Sequence, residues 1–307
     1  NMAIQEADLL FAFGMRFDDR VTGDLSTYAQ NSRKIHVDID ASEINKNVRV
    51  DLGITGDLKQ VLNQVLPRLK SSAHREWIEL IRGWQEERHS RDIYSMEEGD
   101  KLYAAHVIRD LWEYTEGNCV VVTDVGQHQM WEAQYYHHQR PRTLITSGGL
   151  GTMGFGFPAA IGARMGLPNE EVWAIVGDGG FQMTMAELAT AVEQKVAVNI
   201  AIMNNRYLGM VRQWQEFFYE ERYHATPMAS PDFCKLADAY NIPNMRITAR
   251  GDIRKSVDFA REHQEGPVLI EYVVEKHDIV YPMVPTGAAL HNMIRRPVAG
   301  PASSKKE

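Results

Sequence analysis

Apolar residues fall into short blocks separated by stretches of helical spacing, and the period switches repeatedly along the chain. Leu9-Leu10-Phe11-Ala12-Phe13, ending at Gly14, reads as a buried strand. Lys34-Ile35-His36-Val37-Asp38-Ile39-Asp40 reads as a second, and Gly53-Ile54-Thr55-Gly56 as a short third. Helices are expected near 43–48 and 58–69, the latter stopped around Pro67. Residues 1–8 have the spacing of a helix body, with no start methionine, signal peptide or cap, so the sequence is expected to begin in mid-protein.

From Leu102 the pattern is fuller. Val107, Ile108, Leu111 and Trp112 form a helical stripe, and strands are expected at 119–123, 143–146, 172–176, 198–203 and 267–274. Helices near 128–136, 155–166, 181–194, 232–240 and 252–263 fill the gaps. Such alternation predicts an α/β fold with doubly wound, mostly parallel sheets. Four segments result. Residues 1–70 make about half of a doubly wound, Rossmann-like sheet, with too few strands to close a core alone. Residues 71–101 are a charged helical linker carrying Trp77 and Trp84. Residues 102–290 are a self-sufficient domain, and 291–307 a Pro-, Ser- and Lys-rich tail.

Composition narrows the function classes. The 307 residues carry a net charge of −8, which argues against a nucleic-acid or anionic-membrane partner. No apolar run approaches the ~20 residues of a membrane span. Cys119 and Cys234 lie in apolar stretches without a CxxC partner, which fits a reducing, cytoplasmic compartment and excludes a thiolate metal site.

The chemistry concentrates at two strand ends. Val172-Trp173-Ala174-Ile175-Val176 runs into Gly177-Asp178-Gly179-Gly180, and the next strand ends in Asn204-Asn205. Carboxyl ends of neighbouring parallel strands share one edge, where ligands bind. Asp178 and Asn205 therefore face one volume, and their oxygens suit Mg²⁺ retaining phosphate ligands. Gly179 and Gly180 let the backbone approach a phosphate at a helix start. A turn with an aspartate cap explains Gly177-Asp178-Gly179 alone, but not a second apolar strand that ends in two amides. The segment Gly149-Leu150-Gly151-Thr152-Met153-Gly154 also matches GxGxxG, with Asp178 24 residues after Gly154, as in dinucleotide-binding folds. The pair of glycines after Asp178, opening another helix, is a second phosphate-like turn that a ribose ligand does not need.

These residues resemble the thiamine-diphosphate enzymes. Gly177-Asp178-Gly179 followed by Asn204-Asn205 looks like their metal–diphosphate motif. Arg16-Phe17-Asp18-Asp19-Arg20-Val21-Thr22-Gly23, Thr146-Ser147-Gly148-Gly149-Leu150-Gly151-Thr152-Met153-Gly154 and Asn204-Asn205-Arg206-Tyr207-Leu208-Gly209-Met210-Val211-Arg212-Gln213-Trp214-Gln215 are similar to the acetolactate synthase (acetohydroxyacid synthase) catalytic subunits, from the middle domain to the C-terminus. The resemblance implies Asp178, Asn205 and the Tyr207 backbone carbonyl on Mg²⁺, and Gln127, His128, Gly179 and Gly180 on the diphosphate. Gly151 and Met153 would position the aminopyrimidine, Met153 as the wedge that bends the cofactor. Trp214 and Met210 would line the pocket for the second keto acid. Asp19, Arg20, Asp38, Ile39 and Asp57 would lie beside FAD, a largely structural cofactor in this family.

The implied reaction condenses pyruvate with pyruvate or 2-ketobutyrate, with loss of CO₂, in branched-chain amino-acid synthesis. The glutamate that activates the cofactor comes, in this family, from an N-terminal domain of a neighbouring subunit. No general base is therefore named in this sequence, a fragment on this reading. A homodimer or larger homo-oligomer and a small regulatory subunit are implied partners. Other readings are a related carboligase or decarboxylase, such as a glyoxylate carboligase, sulfoacetaldehyde acetyltransferase or oxo-acid decarboxylase, then an NAD-dependent dehydrogenase, and last a non-catalytic binding module.

Overall fold

A computed structural model of the chain describes residues 1–93, 99 and 101–297. The fold divides into two compact units, 1–96 with 281–307, and 97–280.

The first unit opens with α1 (Met2–Glu6), β1 (Leu9–Phe13) and α2 (Asp19–Thr22), then β2 (Arg33–Asp38), β3 (Leu52–Thr55), α3 (Leu58–Val65) and α4 (Arg75–Ser90). Its sheet is parallel throughout, in the order β1-β2-β3. Ala12, Phe17, Tyr28, Ala29, Val48 and Leu290 form its core. The amphipathic start is the predicted helix, tied down by a buried glutamine: Gln5 Oε1 accepts from the Ala29 N–H at 2.7 Å. The helix expected near 43–48 does not form. Asp40 caps a single 3₁₀ turn, Ala41–Glu43, and Asn45 then takes a left-handed φ of 62°, which breaks the helical ladder.

The sequence boundary at 290 also shifts, to 280. Residues 281–297 pack with the first unit, where the Asp24 N–H donates to the Ala288 carbonyl at 2.9 Å and Met283 pairs with Ile294. Part of the expected tail is therefore structured, and its residues 298–307 lie outside the described set. The expected linker contributes α4, without one buried side chain, stiffened by an edge-on Trp77–Trp84 pair at 5.9 Å.

The second unit runs α5 (Ala104–Thr115), β4 (Val120–Thr123), α6 (Gln127–Tyr135), β5 (Leu144–Thr146), α7 (Gly156–Gly166), β6 (Val172–Gly177), α8 (Asp178–Thr184) and α9 (Leu188–Glu193). It continues with β7 (Asn199–Asn204), α10 (Gly209–Phe218), α11 (Phe233–Ala239), β8 (Asn244–Ile247), α12 (Ile253–Glu262) and β9 (Val268–Val273). All six strands are parallel, in the order β5-β4-β6-β7-β9-β8. The centre of the sheet is apolar because crossover helices on both faces shut out water. β4 and β7 are buried along their length, as is β6 up to Val176.

Two elements differ from the sequence pattern. β8 is an edge strand whose Asn244-Met245-Arg246-Ile247 is too polar to announce itself. The helix expected over 181–194 starts at Asp178 and breaks where Thr184 leaves the helical region at φ −133°, giving α8, a 3₁₀ turn and α9.

Candidate functional site

Strand order reverses around β4, which has β5 on one side and β6 on the other. A crevice is expected outside the carboxyl ends of strands at such a switch point. A cavity of about 90 Å³ lies there, lined by Gln127 and His128 after β4, Gly177 at the end of β6 with Asp178 to Gly180 after it, and Asn205, Tyr207 and Met210 after β7. Met153, from the loop after β5, completes it.

Asp178 is 1% exposed, and burial pushes its carboxyl up from the usual range. It accepts from the Ser230 hydroxyl at 2.6 Å, while the Arg206 backbone N–H, in the turn after Asn205, donates to Asn204 Oδ1 at 3.2 Å. Asn205 Oδ1 accepts the Tyr207 N–H at 3.0 Å, and its Nδ2 reaches Gln127 Oε1 at 3.4 Å. The adjacent amide goes elsewhere. Asn204, the last residue of β7, donates to Glu271 at 2.6 Å on the neighbouring strand. Only one of the two asparagines that end the strand faces the cavity.

Glycines are needed where the backbone closes on this space. A Cβ on Gly180 would run into Asp124 Oδ1, and one on Gly179 would lie 3.0 Å from Met228 Sδ. Gln127 is 4% exposed and donates to Gln213 Oε1 at 3.0 Å and to the Asp278 carbonyl at 3.1 Å. His128 is 6% exposed and hydrogen-bonds to the Asp124 backbone, while its Nε2 has no hydrogen-bond partner among the described residues. Burial pulls its pKa down to about 4, so the ring is neutral near pH 7.

The donor set fits a divalent cation with a diphosphate. A desolvated carboxylate and an amide oxygen share a wall, glycine backbone lies beside them, and an orphaned buried ring nitrogen needs a partner.

Gly151 and Trp214 are outside the cavity lining. Gly151 takes φ +64° in the loop that carries Met153, a conformation open to glycine. Trp214 lies one turn after Met210 on α10, half-buried against Phe218 at 5.0 Å. In the first unit, Asp38 ends β2, exposed Ile39 follows it, and Asp57 caps α3 just after β3. Asp19 and Arg20 open α2 after β1, behind the Asp18 cap. Asp38, Ile39 and Asp57 thus lie at or just past the carboxyl ends of two neighbouring parallel strands. An exposed isoleucine among acidic groups there fits a ligand with both apolar and polar parts.

His137 and His138 follow α6 in a loop, where His138 hydrogen-bonds to buried Glu132 at 2.7 Å. Sequence reasoning missed Asp124 and Gln213. A buried-strand end carrying an acid, and a glutamine facing inward on an amphipathic helix, were the available signals.

The C-terminal TPP binding domain of thiamine pyrophosphate enzymes matches residues 124–272, and their central domain matches residues 1–65. The chain is 43% identical over 296 residues to an acetolactate synthase of Mycobacterium bovis, covering 94% of this chain and 48% of that protein. It is 41% identical over 298 residues to the acetolactate synthase isozyme 2 large subunit of Escherichia coli, covering 96% and 53%. Identity to an acetolactate synthase large subunit of Lactococcus lactis is 43% over 296 residues, covering 96% and 51%. The chain spans about half the length of these relatives.

Proposed function

Because the chain belongs to the thiamine pyrophosphate enzymes, we propose that its switch-point cavity holds thiamine diphosphate through Mg²⁺ in an acetolactate synthase. The reaction is the condensation of pyruvate with a second 2-keto acid, with release of CO₂, to 2-acetolactate or 2-aceto-2-hydroxybutyrate. That is the first common step of branched-chain amino-acid synthesis. The observation that carries this reading is the presence of Asp178 and Asn205 in the wall of one cavity. When bound, the thiazolium ring supplies the electron sink for decarboxylation.

The chain's own groups bind and orient. Asp178, Asn205 and the Tyr207 carbonyl hold the metal. Gly179, Gly180, Gln127 and neutral His128 hold the diphosphate. Gly151 and Met153 shape the ring end of the site, and an unbranched thioether suits such an irregular gap. Met210 and Trp214 bound the space for the second keto acid. FAD beside Asp19, Arg20, Asp38, Ile39 and Asp57 is part of the same reading, supported by the place of Asp38, Ile39 and Asp57 at or just after the ends of β2 and β3. So are a second catalytic copy that supplies the activating glutamate, a small regulatory subunit, and a cytoplasmic setting. No described helix is long and apolar enough to cross a membrane.

The test is calorimetric titration of the full protein with thiamine diphosphate and Mg²⁺. Asp178→Ala is expected to weaken binding roughly 100-fold, about 2.7 kcal/mol. Affinity kept within threefold would overturn the site. Acetolactate is the expected product from pyruvate, and acetaldehyde as the sole product would instead make the protein a decarboxylase.

A further inference from the structure

The end of β4 carries a carboxylate for which the reaction above assigns no role. Asp124 is 1% exposed, and its three hydrogen-bond donors among the described residues are all backbone N–H groups. Oδ1 accepts from Val125 at 2.8 Å and from Gly154 at 3.0 Å, and Oδ2 accepts from Gly156 at 2.7 Å. Gly154 and Gly156 belong to the chain leaving β5 for α7, and Met153 immediately precedes Gly154. On its other side the same carboxylate fills the space behind Gly180, where a Cβ would run into Oδ1. Gly154 is in turn closely backed by α8, since a Cβ there would lie 3.2 Å from both Met183 and Thr184.

We propose that Asp124 is a positioning residue that clamps the Met153 loop at a set height over the Asp178–Gly180 turn. It thereby holds the part of the cleft shaped for the cofactor's rings at one separation from the part shaped for its diphosphate. This rests on the thiamine-diphosphate reading. A carboxylate suits the place because both of its oxygens accept, and the three N–H donors converge from two segments. An asparagine has the same size and leaves the Gly180 contact intact, but turns one acceptor into a donor that faces an N–H group.

The experiment uses the full protein in two arms. Residue-resolved hydrogen exchange without cofactor is expected to show the Gly154 and Gly156 amides protected roughly 100-fold over Gly149. Asp124→Asn is expected to lower that protection about tenfold. Calorimetry with Mg²⁺ is expected to show thiamine diphosphate affinity about tenfold weaker in D124N, and inorganic diphosphate affinity within about threefold of the unaltered protein. Unprotected Gly154 and Gly156 amides in the unaltered protein overturn the clamp, whether or not the variant folds. Unchanged exchange in D124N, or equal losses for both ligands, also overturn the positioning role. An unaltered protein that binds neither ligand removes the cofactor reading itself, an outcome distinct from these because the clamp's own failures occur in a protein that binds both.

Discussion

Asn204 and Asn205 are neighbours in sequence with opposite fates, because successive side chains of a strand leave opposite faces. Asn204 joins Glu271, which also accepts from Arg246 at 2.6 Å; Arg246 reaches Asp232 at 2.5 Å. That guanidinium accounts for the close approach of Asp232, Cys234 and Glu271, so the cluster is an ion-pair network. His128 gives a test at the same scale. Its folded pKa of about 4 lies below the ordinary 6.5, so the unfolded chain binds the extra proton. Its contribution is present above pH 6.5 and lost as pH falls toward 4. Urea unfolding of the unaltered protein and His128→Asn across pH 7 to 4 is expected to show the stability difference shrinking through that window. A difference independent of pH would contradict the buried neutral ring.

Among the elements, the ends of β4, β5, β6 and β7 do the positioning, and α10 closes one side. Gly209 opens α10 where a Cβ would run into Gln127 Oε1 and lie 2.9 Å from Asn205 Nδ2. Gly209→Ala is therefore expected to cost about tenfold or more in Mg²⁺–thiamine diphosphate affinity by calorimetry. Gly83, exposed in the middle of α4 with nothing near a built Cβ, provides the contrast. Gly83→Ala is expected to stabilise by up to about 1 kcal/mol in urea denaturation, through helix propensity and a less free unfolded chain. Equal responses at the two glycines would mean that steric closure at 209 is unimportant. The strands of the central sheet were legible because burial on both faces leaves unbroken Val/Ile runs. β8 was not, because an edge strand that meets water need not be apolar.

For the whole molecule, the six-stranded unit has its own extended core, running from Val120 through Val176 and Ile202 to Leu269. Residues 101–280 expressed alone are expected to unfold in one cooperative transition, with near-UV dichroism retained beforehand. Loss of that dichroism would make the core dependent on the rest of the chain.

By itself the sequence determined the α/β alternation, the parallel central strands and the oxygen donors at two strand ends, since each leaves a local signature in period or residue type. The tertiary structure decided which loops meet. It brought Asp124 to a loop some 30 residues away, turned Gln213 onto Gln127, and moved residues 281–297 to the first unit. Such contacts depend on strand order and on backbone groups that every residue carries, and neither is written in the hydrophobic pattern.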